Sequence, residues 1–187
     1  MRTRIGVMGS SAAEQPGSAI ECRVAALAAR LGQAIADRQC VLVTGATSGL
    51  PHLVSIAAQD AGALTVGISP AKDETEHREH YRLPLDGLDV MVYTGFGLKG
   101  RNVVNIRSSD VVIVLGGSTG TLNEFTIAVD EGKVIGILEG TGGVSDHIRD
   151  IIRFCDREQS SRILFNENPE ILVDICLAEF KRHRQLA

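Results

Sequence analysis

Tryptophan is absent from the 187 residues, and aromatic side chains make up only 4% of them. Too few rings remain for a platform on which the bases of single-stranded nucleic acid could stack. Excess positive charge is also missing. The formal net charge is −4, so the overall field gives no reason to expect DNA, RNA or an anionic membrane as partner. Cys22, Cys40, Cys155 and Cys176 are widely scattered, with no C-x-x-C. That argues against a disulfide framework and for a reducing cytoplasm. Three of the four lie in apolar contexts and are expected as small buried thiols. Met1-Arg-Thr-Arg leads into a short apolar strand, and no stretch approaches a signal-peptide core or a membrane span, so a cytoplasmic location is expected. No G-x-x-x-x-G-K-[ST] occurs, which removes nucleotide hydrolysis on the Walker plan.

What is present is alternation. Apolar β-type runs fall at Ile5 to Met8, Cys40 to Thr44, Leu64 to Ile68, Val90 to Tyr93, Val111 to Leu115 and Val134 to Leu138, with a weaker one at Arg162 to Phe165. Helix-like segments separate them: Ala19 to Asp37, Leu50 to Ala61, Leu98 to Ser108, Leu122 to Glu131, Ser145 to Cys155 and Glu170 to Arg184. Val24, Leu27, Ala28 and Leu31 mark the helical period in the first of these. Strands apolar throughout, each followed by a helix, predict a parallel sheet covered on both faces. The expected fold is a doubly wound α/β sheet of about seven strands, one domain over residues 1–187.

The least regular piece is Ala71 to Gly87, charged and containing His77 and His80 at i, i+3. With no cysteine or carboxylate pair beside them, a solvated loop or short helix is expected and no metal site.

In such a sheet, ligands bind beyond the carboxyl ends of the strands. Four of those ends carry glycine beside hydroxyls or bases: Gly9-Ser10-Ser11, Gly45-Ala46-Thr47-Ser48-Gly49, Gly95 to Arg101, and Gly116-Gly117-Ser118-Thr119-Gly120-Thr121-Leu122-Asn123-Glu124. Glycine lets the backbone approach an anion, and the following helix directs unpaired N–H groups and a partial positive charge at it. The hydroxyls of Ser118, Thr119 and Thr121 add donors. Together these ends predict an anionic small molecule, a nucleotide foremost, bound by Gly9, Ser10, Gly45, Thr47 and Gly117 to Thr121.

Gly95-x-Gly97-x-x-Gly100 matches the dinucleotide fingerprint formally. It follows the fourth strand, however, and the acid expected about 20 residues on has no candidate. Asp110 falls at the wrong edge of the sheet. NAD-type binding is not expected.

The stretches "GVMGSS" at 6–11, "LVTGATSGLPHLVSIAAQDAGALTVGISP" at 42–70 and "GRNVVNIRSSDVVIVLGGSTGTLNE" at 100–124 resemble the LOG (Lonely Guy) family, once labelled lysine-decarboxylase-like. Its Rossmann-like superfamily includes molybdenum cofactor carriers and DprA-related proteins. The likeness runs in order over most of residues 5–138. The family's P-G-G-x-G-T-x-x-E keeps its G-T-x-x-E half here, with Gly116 in place of proline and Ser118 in place of glycine. Of its arginine-lysine pair, Arg101 matches and Asn102 does not, and its G-G-G has become Gly45-Ala46-Thr47.

The resemblance implies a phosphoribohydrolase that cleaves a nucleoside 5′-monophosphate to free base and ribose 5-phosphate, requiring no cofactor. An oxocarbenium-like ribose calls for a nearby carboxylate, which assigns catalysis to Glu124, with Arg101 holding phosphate or orienting the acid. A purely structural reading competes, because Thr121 to Glu124 has the spacing of a capping box. The altered loops favour a second function, a non-catalytic carrier of a nucleotide or molybdenum (pterin) cofactor. A third, DNA processing, is opposed by the acidic balance. A homodimer is implied by the resemblance alone.

Overall fold

The computed structural model describes residues 1–11, 19–155 and 162–186. Seven strands, β1 (Arg4–Gly9), β2 (Val41–Thr44), β3 (Leu64–Ser69), β4 (Val90–Tyr93), β5 (Val111–Leu115), β6 (Val134–Leu138) and β7 (Arg162–Asn166), form one wholly parallel sheet in the order β4-β3-β2-β1-β5-β6-β7. Six helices follow the strands: α1 (Ala19–Asp37), α2 (Leu50–Asp60), α3 (Gly97–Arg107), α4 (Thr119–Asp130), α5 (Ile148–Cys155) and α6 (Pro169–Leu186). The doubly wound α/β reading therefore holds.

Burial explains the strand composition. Every residue of β5 and β6 is buried, as central parallel strands require. Ile5, Val7, Leu42, Ile113 and Leu115 pack beneath α1, α2 and α6, while Met8, Val112, Val114, Ile135 and Ile137 pack beneath α3, α4 and α5. Edge strand β4 alternates exposed and half-buried residues. Strand order runs outward one way from β1 to β4 and the other way from β5 to β7. The reversal between β1 and β5 opens a crevice at their carboxyl ends, where such sheets hold ligands.

The opposite ends of the same two strands are clamped. Asp110 accepts the Arg4 backbone N–H at 2.9 Å, its Nε at 3.0 Å and its Nη2 at 2.6 Å. Burial alone would push the Asp110 carboxyl up, but the bonds from Arg4 outweigh it and hold the carboxyl below its ordinary value.

Three local expectations are corrected. The 71–87 segment does hold a short helix, a π-helical turn at Glu76–His80, but it is not simply solvated, because His77 is wholly buried. His77 Nδ1 lies 2.8 Å from Ser69 Oγ and Nε2 lies 3.0 Å from the Pro84 carbonyl. A carbonyl only accepts, so Nε2 carries the proton and both ring nitrogens are engaged. Of the cysteines only Cys40 and Cys176 are buried, whereas Cys22 and Cys155 are exposed. Burial pushes the Cys176 thiol up to about 12. The helix expected over 145–155 is split into a 3-10 turn, Gly143–His147, and α5. Among the described residues no helix is long and apolar enough to cross a membrane.

Candidate functional site

The four glycine-bearing strand ends meet. A cleft of about 240 Å³ lies over Val7 and Met8. It is walled by Gly9, Ser10 and Ser11 after β1, Gly45 and Thr47 after β2, Leu98, Lys99, Arg101 and Asn102 on α3, and Ser118, Thr119, Gly120, Thr121 and Glu124 at the start of α4. Gly117 is the one residue of the expected binding set that does not line it. With φ at 95°, Gly117 sits behind the wall, where a side chain would begin only 2.3 Å from Thr121 Oγ1. Its carbonyl accepts from the Val144 N–H at 2.8 Å, and the Gly116 N–H donates to Thr141 Oγ1 at 2.8 Å and Ser145 Oγ at 3.0 Å. The turn is thus braced from behind, leaving the amino end of α4 to face the cleft.

That helix starts earlier than its hydrophobic period suggests, and the capping box does not form. Ser118, in extended conformation, is the N-cap and makes no side-chain bond into the helix. Thr121 lies inside the first turn. The first N–H groups of α4 have no helical acceptor, and Ser118 and Thr119 are exposed beside them.

Glu124 goes instead to Arg101. The Arg101 Nη1 donates to Glu124 Oε1 at 2.7 Å and to Asn102 Oδ1 at 3.0 Å, and Asn102 Nδ2 donates to Asn123 Oδ1 at 2.7 Å. Burial pushes the Glu124 carboxyl above its ordinary value, with the Arg101 guanidinium pulling the other way. Room for that guanidinium comes from Gly45: a side chain there would begin 2.3 Å from Arg101 Nη2. Only glycine leaves the gap. Arg101 Nε and Asn105 Oδ1 are buried with no hydrogen-bond partner.

Residues 2–173 match the SLOG cluster 4 family. The chain belongs to the SLOG cluster 4 family. An uncharacterized protein of Archaeoglobus fulgidus is 32% identical over 136 residues, 73% of this chain and 80% of its own length. The X-ray structure of TM1055 shares 26% identity with a TM-score of 0.80, over 94% of this chain and 99% of that one. The molybdenum cofactor binding protein of the phototrophic bacterium Rippkaea orientalis shares 28% identity with a TM-score of 0.73, over 95% of this chain and 97% of that one.

In this SLOG protein the fingerprint glycines Gly95, Gly97 and Gly100 stay off the cleft wall, and their strand end reaches it through Leu98, Lys99 and Arg101 instead. Lys99 and Asn102 line the cleft, and neither was singled out as a ligand contact in the sequence. A signal for Lys99 did exist. It occupies the first turn of α3, the end of a helix where a cation is electrostatically disfavoured, so a lysine there asks for another reason. Asn102 and Asn105 carried no comparable signal, because a helical asparagine is buried or exposed according to packing that only the fold decides. Among the described residues, no group of three or more His, Cys, Asp or Glu is placed to hold a metal ion.

Proposed function

We propose that this protein binds and carries a phosphate-bearing small molecule, a nucleotide or the pterin of a molybdenum cofactor, without cleaving it. The observation that carries the reading is the inward closure of Arg101 on Glu124 beside an amino end of α4 that nothing caps. Glu124 and the arginine that would hold a substrate's phosphate bond each other, while the first N–H groups of α4 receive no side-chain cap. The 28% identity to a molybdenum cofactor binding protein supports the same reading. Such a cargo would be gripped by its phosphate, through the N–H groups of α4 and the hydroxyls of Ser118 and Thr119.

Hydrolysis of a nucleoside 5′-monophosphate keeps one observation in its favour. Glu124 lines the cleft and burial raises its carboxyl, which suits an acid that protonates a departing base. Nucleic acid stays outside the proposal, since no aromatic side chain lines the described cleft.

A homodimer belongs to the proposal as well. Leu64, Val90 and Val92 share one face of β3 and β4 and are 40%, 45% and 40% exposed, on a kind of sheet normally covered on both faces. A second copy of the chain is the occupant we assign to that face.

The test is mass spectrometry of the small molecule released from protein purified without oxygen. A phosphorylated pterin or intact nucleotide supports carriage. Ribose 5-phosphate retained in the cleft favours the hydrolase.

A further inference from the structure

Lys99 stands out because the fold leaves it unbalanced. It lines the cleft and is exposed, and no hydrogen bond or ion pair reaches its ammonium among the described residues. Its Nζ lies 3.8 Å from the point where a side chain on Gly120 would begin. The ammonium therefore overhangs the first turn of α4, while its own backbone sits in the first turn of α3. Each of those helix ends carries a partial positive charge of about half a unit. A lysine placed against two such ends repels both, unless an anion lies between them.

The other charges of the cleft do not supply that anion. Glu124 is the only carboxylate among the described lining residues; it bonds Arg101 at 2.7 Å, and Lys99 is the weakest of the influences on its carboxyl. The pair sums to zero. Arg101 itself is 6% exposed, lines the cleft and has an Nε with no partner, so the site's own groups leave a donor unmet as well as a cation. What remains is one ammonium plus the amino ends of α3 and α4, about +2 in all.

We infer that Lys99 is a phosphate ligand, and that the cleft selects a terminal phosphomonoester over a diphosphate. A phosphomonoester near neutral pH carries about 1.5 to 2 negative charges, close to what Lys99 and the two helix ends offer. A diphosphate brings more negative charge than the described cleft residues can match. The phosphate is cradled between the ammonium and the N–H groups of α4, with the Ser118 hydroxyl as a further donor. This rests on the reading of the cleft as a phosphate cradle, and it adds the ligand's charge state and the residue that sets it.

The experiment is calorimetric titration of wild type, Lys99→Gln and Lys99→Arg with inorganic phosphate and with pyrophosphate, alongside thermal unfolding without ligand. Lys99→Gln is expected to weaken phosphate binding about tenfold, the size of one charge-assisted hydrogen bond. Lys99→Arg is expected to stay within about threefold of wild type. Ligand-free Lys99→Gln is expected to unfold at the wild-type temperature or above it, because a repulsive charge has been removed. Pyrophosphate is expected to bind no tighter than phosphate. Equal phosphate binding by wild type and Lys99→Gln overturns the role of Lys99 and leaves the cradle standing. Phosphate binding by neither protein overturns both. Pyrophosphate binding more than tenfold tighter than phosphate overturns the choice of a monoester.

Discussion

Arg101 and Glu124 meet at 2.7 Å with side chains only 7% and 9% exposed, although 23 residues separate them on α3 and α4. Removing one partner of such a pair leaves a charge buried alone, at a cost of about 3 kcal/mol or more. Arg101→Leu should therefore destabilise the protein by about that amount. The cost should grow with pH. Without the guanidinium the Glu124 carboxyl is raised further, so the folded state must keep it protonated. That is easy below the ordinary glutamate value near ~4.3 and harder at pH 8. Urea unfolding at pH 5 and pH 8 checks this, and the double variant Arg101→Leu/Glu124→Leu should recover most of the loss. Equal losses at both pH values would contradict it.

Gly45 and Arg101 are coupled through space. The 2.3 Å approach that a side chain at position 45 would make to Nη2 forces the guanidinium aside. Gly45→Ala should cost about 1–3 kcal/mol, as overpacking does, and should weaken phosphate binding as well. If unfolding and titration curves both overlay those of wild type, the guanidinium does not depend on that gap.

The Arg4–Asp110 clamp predicts an acid limb. A carboxyl held below its ordinary value contributes stability above the unfolded value near ~3.9, and loses it as pH falls through the folded one. Arg4 is partly solvated, with 40% of its side chain exposed, so screening limits the gain. Asp110→Asn should cost about 1–2 kcal/mol at pH 7. The gap from wild type should narrow as pH falls below the ordinary aspartate value of ~3.9, measured by denaturant unfolding along a pH series.

The exposed face of β3 and β4 predicts dimerisation. Val92, 40% exposed at the centre of edge strand β4, becomes a buried charge in a dimer when replaced by glutamate. Wild type should behave as a dimer in light scattering and Val92→Glu as a monomer. A monomeric wild type, or a variant that stays dimeric, would remove that face from the account.

Much of this architecture was legible in the sequence because burial writes itself into composition. Val111 to Leu115 and Val134 to Leu138 are apolar at every position since both sheet faces are covered, and their boundaries were read correctly. Convergence of the four strand ends also followed, because a parallel sheet brings its carboxyl ends to one side, although the glycines of the fourth end stay off the cleft wall. What stayed hidden depended on contacts distant in sequence. Nothing local told that His77 would be buried between Ser69 and the Pro84 carbonyl. Nor did it reveal that Glu124 would forgo a cap for Arg101, or that Gly45 would owe its place to a guanidinium 56 positions on.

The central claim is that the cleft holds a phosphorylated small molecule and returns it whole. Incubation of the purified protein with nucleoside 5′-monophosphates and with molybdopterin, followed by chromatography of bound and free fractions, tests it most directly. The account predicts retention of an intact phosphorylated ligand, displaced by inorganic phosphate, with no free base. Base released at a rate that Glu124→Gln abolishes would contradict it and return the site to hydrolysis.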